Sequence, residues 1–167
     1  IDMERDTEKA VPLIVASARQ NLPEAVKKLA EMYWKGDGIA VNYENSILWR
    51  KRLVDIYERK FDEIKDPEEM LKYIQALENL ATCLYELNSF RDSLLYAKQL
   101  AKLMEQITSF SGSSDFLHYH ALAYDLCSKN CRRLGLYDDA IAYASKYHKL
   151  AEKRYEQKSS SDNLHNI

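Results

Sequence analysis

Leu87-Asn88-Ser89-Phe90-Arg91-Asp92-Ser93-Leu94-Leu95-Tyr96-Ala97 and Leu134-Gly135-Leu136-Tyr137-Asp138-Asp139-Ala140-Ile141-Ala142-Tyr143-Ala144 carry one pattern twice. Each reads leucine, Asn or Gly, any residue, aromatic, any, aspartate, small, aliphatic, any, tyrosine, alanine. The register between them is a constant 47 residues, from 87 to 134. Self-similarity at one fixed spacing is the signature of a stacked helical repeat. Asn88 and Gly135 suit the left-handed residue that ends a helix. Phe90 and Tyr137 fill the wedge at the bend. Ser93 and Ala140 are small, so two antiparallel helices can approach closely.

Start and stop signals on either side divide the chain into about seven helices. The first covers residues 6–20. Asn21-Leu22-Pro23-Glu24 reads as a capping box that opens the second, with Asn21 as cap and Pro23 harmless in the first turn. Gly36-Asp37-Gly38 closes it, because glycine takes positive φ freely. Asn42 caps a third helix over 43–61. Asp66-Pro67-Glu68-Glu69 opens the fourth, with Asp66 as cap, Pro67 first in the helix and Glu69 completing the box. That helix carries Leu71, Ile74, Leu77, Leu80, Ala81, Leu84 and Leu87, one apolar stripe of helical period. The fifth helix covers 90–108 and ends before a polar run around Gly112. The sixth covers 115–134 and the seventh 137–157. Residues 159–167 read as a frayed, disordered tail.

Composition agrees with an all-α class. Only 4 Gly and 3 Pro occur in 167 residues, too few for the turns of an all-β fold. A formal net charge of -2 argues against nucleic-acid binding by bulk charge. Apolar runs are a few residues long against the ~20 a membrane helix needs. The first residue is Ile1, so the chain is expected to be a piece of a longer protein. Cys127 and Cys131 stand one helical turn apart, where Cβ atoms are ~5–6 Å from each other and poorly placed to bridge. Free thiols and a cytoplasmic setting are the expectation for the three cysteines.

The Leu-Gly-x-Tyr-x-x-Ala heart of the repeated stretch resembles the tetratricopeptide repeat, although 47 residues exceeds that family's usual spacing of about 34. Ala25-x-x-x-Leu29-Ala30-x-Met32-Tyr33-x-x-Gly36-x-Gly38-Ile39, followed by Tyr43, Ser46 and Trp49, is similar to the Sel1-like repeat. The resemblances imply an α-solenoid of antiparallel helix pairs in one domain over 1–158. Residues 6–61 form its Sel1-like part and 66–157 two long tetratricopeptide-like hairpins. They also imply a concave groove lined by the first helix of each pair, with Lys28, Trp34, Tyr85, Leu122, Asp125, Lys129, Arg132 and Arg133 on that side.

Chemistry-bearing motifs are scarce. His118, His120, Cys127 and Cys131 suggest a zinc site, but the two histidines point to different sides of a helix and no Cys-x-x-Cys knuckle is present. Core packing of the cysteines is the favoured reading. No nucleophile elbow, phosphate loop or His-Glu-x-x-His occurs, and Gly36-x-Gly38 lacks the context of a dinucleotide fingerprint. The expectation is therefore a protein without catalytic or metal residues and without a cofactor. It would act as a scaffold that binds a protein or peptide, its site residues being Lys28, Trp34, Tyr85, Lys129, Arg132 and Arg133. Trp34 and Tyr85 are hot-spot types, and Lys129, Arg132 and Arg133 could grip an acidic segment. The alternative is a structural spacer or oligomerisation segment, self-associating through Val11, Leu13, Ile14 and Val15 on the first helix.

Overall fold

The computed structural model describes residues 2–61, 66–111 and 116–164, and regular structure among them is helical throughout. Seven helices follow in order: α1 (Asp2–Arg19), α2 (Pro23–Lys35), α3 (Tyr43–Arg59), α4 (Pro67–Glu86), α5 (Phe90–Ser111), α6 (Leu117–Arg133) and α7 (Tyr137–Leu164). The all-α class holds. Two compact units divide the chain, residues 1–76 and 77–167, with the border inside α4.

In the first unit α1 packs on α2 and α2 on α3. Val26, Leu29, Ala30 and Met32 of α2 meet Ile47, Leu53, Val54 and Tyr57 of α3 in its core. Tyr57 lies 6.1 Å from Tyr73 between ring centroids, which ties the start of α4 to this unit. Burial raises the Tyr57 phenol's pKa, and Glu69 and Glu24 push it the same way. In the second unit α5 packs on α6 and α6 on α7. Leu77, Leu80 and Leu84 share that core with Leu100, Met104, Leu126 and Cys127.

Three turns share one backbone geometry. After α4, Leu87 N–H donates to Cys83 C=O (3.1 Å), Asn88 to Tyr85 (3.0 Å) and Ser89 to Leu84 (2.9 Å). After α6 the same bonds recur 47 residues on: Leu134 to Asn130 (3.0 Å), Gly135 to Arg132 (3.2 Å) and Leu136 to Cys131 (2.9 Å). Asn88 and Gly135 both take the left-handed φ this helix ending requires, 59° and 75°. The α1–α2 turn is the third case, with Asn21 at φ 61° and Leu22 N–H on Ser17 C=O at 3.4 Å.

That third turn corrects the expected capping box. Asn21 is the left-handed turn residue, and Leu22 stands at the cap position with no side-chain bond to offer. The Asn21 oxygen instead accepts from Arg52 Nε at 2.6 Å. Asn42 does cap α3, accepting from Asn45 N–H at 2.9 Å. Asp66 accepts from Glu68 N–H at 3.3 Å, whereas Glu69 takes Lys72 at 3.0 Å.

The repeat reaches further back than its sequence pattern. α3, α5 and α7 begin at Tyr43, Phe90 and Tyr137, each 47 residues after the last. Ser46 and Ser93 follow three residues into their helices, and both hydroxyls donate at 2.7 Å to a carbonyl of the preceding helix, Ala30 and Ala81. In the last hairpin the two roles are exchanged. Ala140 stands where Ser93 does, and Ser128, equivalent to Ala81, donates to the Ala140 carbonyl at 2.9 Å.

Helix ends differ from the expected ones in a regular way. α7 continues through 158–164, because a formed helix extends at little cost even through serines. α5 likewise reaches Ser111. The rest of the polar run around Gly112 and the expected start of α6 at 115 lie outside the described residues, as do 165–167.

Candidate partner-binding surface

α6 divides cleanly. Leu117, His120, Ala121, Ala123, Tyr124, Leu126, Cys127, Asn130 and Cys131 are buried. The opposite side carries Leu122, Asp125, Lys129, Arg132 and Arg133, spaced along a helical stripe. Beside its first half runs a trough of about 420 Å³, lined by His118, Ala121, Leu122 and Asp125 of α6 and by Tyr147, Ala151 and Tyr155 of α7. Tyr147 and Tyr155 are 40% and 77% exposed, so the trough offers two aromatic rings to solvent.

The basic residues expected at this surface lie at the other end of the stripe. Lys129 pairs with Asp125 at 2.6 Å. Arg132 and Arg133 occupy the last turn of α6 and are exposed. The Arg133 guanidinium lies 4.7 Å over the Phe90 ring, and Phe90 is edge-on to Tyr85 at 5.4 Å. Phe90 thus brings Tyr85 and Arg133 together.

In the first unit, Lys28 is exposed and pairs with Asp37 at 3.3 Å. Trp34 is half-buried, 4.9 Å from Tyr43 in an edge-on contact, with Arg50 5.7 Å above it. Trp34 and Tyr85 therefore hold equivalent places, each packed on the aromatic that opens the next helix. Much of each ring is committed to the turn.

A polar clamp joins α5, α6 and α7 below the surface stripe. The Tyr124 hydroxyl donates to Glu105 Oε1 at 2.6 Å, and Lys146 Nζ reaches the same oxygen at 3.5 Å. Lys146 also lies over the Tyr124 and Tyr143 rings at 5.1 and 5.8 Å. The Tyr124 bond, helped by Lys146, lowers the Glu105 pKa against the opposing effect of burial. Burial and the same carboxylate push the Tyr124 phenol up. Burial lowers the pKa of His120, whose ring is 4.8 Å from Tyr124, and so favours its neutral form. Glu105, Tyr124 and Lys146 come from three helices, and no spacing in the sequence announces them.

All three cysteines are free and buried. Burial, with Cys131 beside it, pushes the Cys127 thiol up to about 12, and Cys131 is raised too. Both thiols stay protonated near neutral pH and pack as small apolar groups. Among the described residues no group of three or more His, Cys, Asp and Glu stands where it could hold a metal ion. No helix among them is long and apolar enough to cross a membrane.

No family model, curated protein or solved structure matches the chain. Its functional reading rests on the surface just described.

Proposed function

We propose that the chain is a helical-repeat module of the tetratricopeptide and Sel1 kind that binds a protein segment along α6. The observation that carries this reading is the α6–α7 trough, which lies on the stripe expected to meet a partner. An open trough with two exposed tyrosines is the kind of place where an apolar anchor loses water. Arg132 and Arg133 then supply charge at the far end. From Leu122 to Arg133 the helix rises about 16 Å, the length of about five extended residues. The partner is accordingly an aromatic or aliphatic anchor followed, about four or five residues away, by one or two carboxylates.

Display of random fifteen-residue peptides on the wild-type protein tests this reading. Recovered peptides are expected to combine an apolar anchor with acidic residues. They should lose affinity for Arg132→Glu/Arg133→Glu and for Tyr155→Ala while both variants stay folded, the arginine pair losing only about 1–2 kcal/mol with the Arg133–Phe90 contact and the charge at the end of α6. Peptides without acidic residues, or binding indifferent to both variants, would remove the assignment.

A further inference from the structure

The first unit has a groove of its own, on a face of α3 that the expected contact surface does not include. Its volume is about 530 Å³, and residues of α3 line it together with Asn21 of the α1–α2 turn. Leu48, Trp49 and Ile56 give it an apolar floor, and Leu48 is 62% exposed. Arg52 and Arg59 stand on the same wall, two helical turns apart.

Both guanidiniums are placed for an anion. Arg52 gives Nε to Asn21 at 2.6 Å and lies 5.5 Å from the Trp49 ring. That contact pins the side chain and leaves its Nη ends with no carboxylate partner among the described residues. Arg59 makes no ion pair among the described residues. Asp55 lies between the two in sequence, but no ion pair within 4.0 Å joins it to either among the described residues.

We propose that this α3 groove binds an acidic protein segment whose two carboxylates flank an apolar residue. Seven residues of helix separate Arg52 from Arg59 by about 10 Å. Two acidic side chains three positions apart in a polyproline-II segment share one face and span about 9 Å. A residue between them then lies over Ile56, and the chain beyond the carboxylate at Arg52 passes over Trp49 and Leu48. Bidentate guanidinium–carboxylate pairing fixes each end, and the apolar floor selects a peptide over a bare polyanion. The groove lies wholly in the first compact unit.

The probe is a library of twelve-residue peptides with glutamate fixed at two positions three apart and all other positions random. Trp49 fluorescence reads binding in a Trp34→Phe background, which leaves one indole in the chain. Saturable binding is expected, with an apolar residue enriched between the glutamates. Arg59→Glu should weaken it at least about tenfold, and Asp55→Asn should strengthen it. The lysine counterpart of the best peptide should not bind, and Arg132→Glu/Arg133→Glu should leave affinity unchanged. Arg59 makes no ion pair among the described residues, so Arg59→Glu should stay folded and lose at most about 1 kcal/mol at the end of α3. The proposal is overturned if no library member binds, if Arg59→Glu binds as the parent does, or if Arg132→Glu/Arg133→Glu abolishes binding. Tighter binding of single-stranded DNA than of the best peptide overturns it as well.

Discussion

Ser93→Ala removes one oxygen from the interior of the second unit, and its cost can be worked from three distances. The hydroxyl donates to the Ala81 carbonyl at 2.7 Å and accepts from Asn130 Nδ2 at 2.8 Å. Ser93 and Asn130 are both fully buried, so no bulk water replaces what is lost. The donated bond is worth about 1 kcal/mol net, and one Asn130 N–H left without a partner adds about 1–2 kcal/mol. Asn130 keeps its other bond, to the Leu126 carbonyl at 2.9 Å, which holds the amide in place and prevents relief by rotation. Its Oδ1 already has no partner among the described residues, so the site has little slack. Urea unfolding should therefore show a loss of about 2–3 kcal/mol. The exchanged roles in the last hairpin supply a rescue. Ala81→Ser/Ser93→Ala copies the Ser128–Ala140 arrangement and should recover about 1 kcal/mol, the value of one buried hydrogen bond. A single variant within about 0.5 kcal/mol of wild type, or a double variant no better than the single, would refute the equivalence of the hairpins.

Further outcomes follow from the turns and the clamp. Gly36→Ala should be costlier than Gly135→Ala. Both glycines have φ near +75°, a strain of about 1–2 kcal/mol for alanine, but only at Gly36 would the new Cβ meet a neighbour, Val41 Cγ2 at 2.8 Å. Thermal unfolding of the two variants checks the order. The Glu105 carboxyl is held below the ordinary glutamate value of 4.5, so the stability it contributes is present above pH 4.5 and disappears as pH falls through the folded value. His120 is lowered from 6.5, so the unfolded chain takes up its proton first and stability begins to fall as pH drops below 6.5. Melting curves should thus decline below pH 6.5 and steepen below 4.5, and Glu105→Gln should weaken the second step and deepen the first, because the Glu105 charge holds the His120 pKa up.

The legible part of the fold was local chemistry. Asn88, Gly135, Gly36, Asn42 and Pro67 state their backbone roles in their own side chains, and the helices begin and end beside them. Ile74, Leu77, Leu80 and Ala81 gave the buried face of α4 by period alone. Asn21 misled because asparagine suits both a cap and a left-handed turn, and only the neighbouring Ser17 carbonyl decides between them. The α6 stripe was visible because its period separates it from the buried side. The trough was not, since Tyr147 and Tyr155 come from α7 and their pairing with Leu122 depends on how the two helices align. The Arg52–Asn21 bond joins residues 31 apart and was equally out of reach.

Amide spectra of the protein titrated with a peptide recovered by display test the central claim most directly. The account predicts that the largest shifts fall on Leu122, Asp125, Lys129 and Arg132 of α6 and on Tyr147 and Tyr155 of α7. Largest shifts on the buried side of α6, or spread evenly over the seven helices, would contradict it.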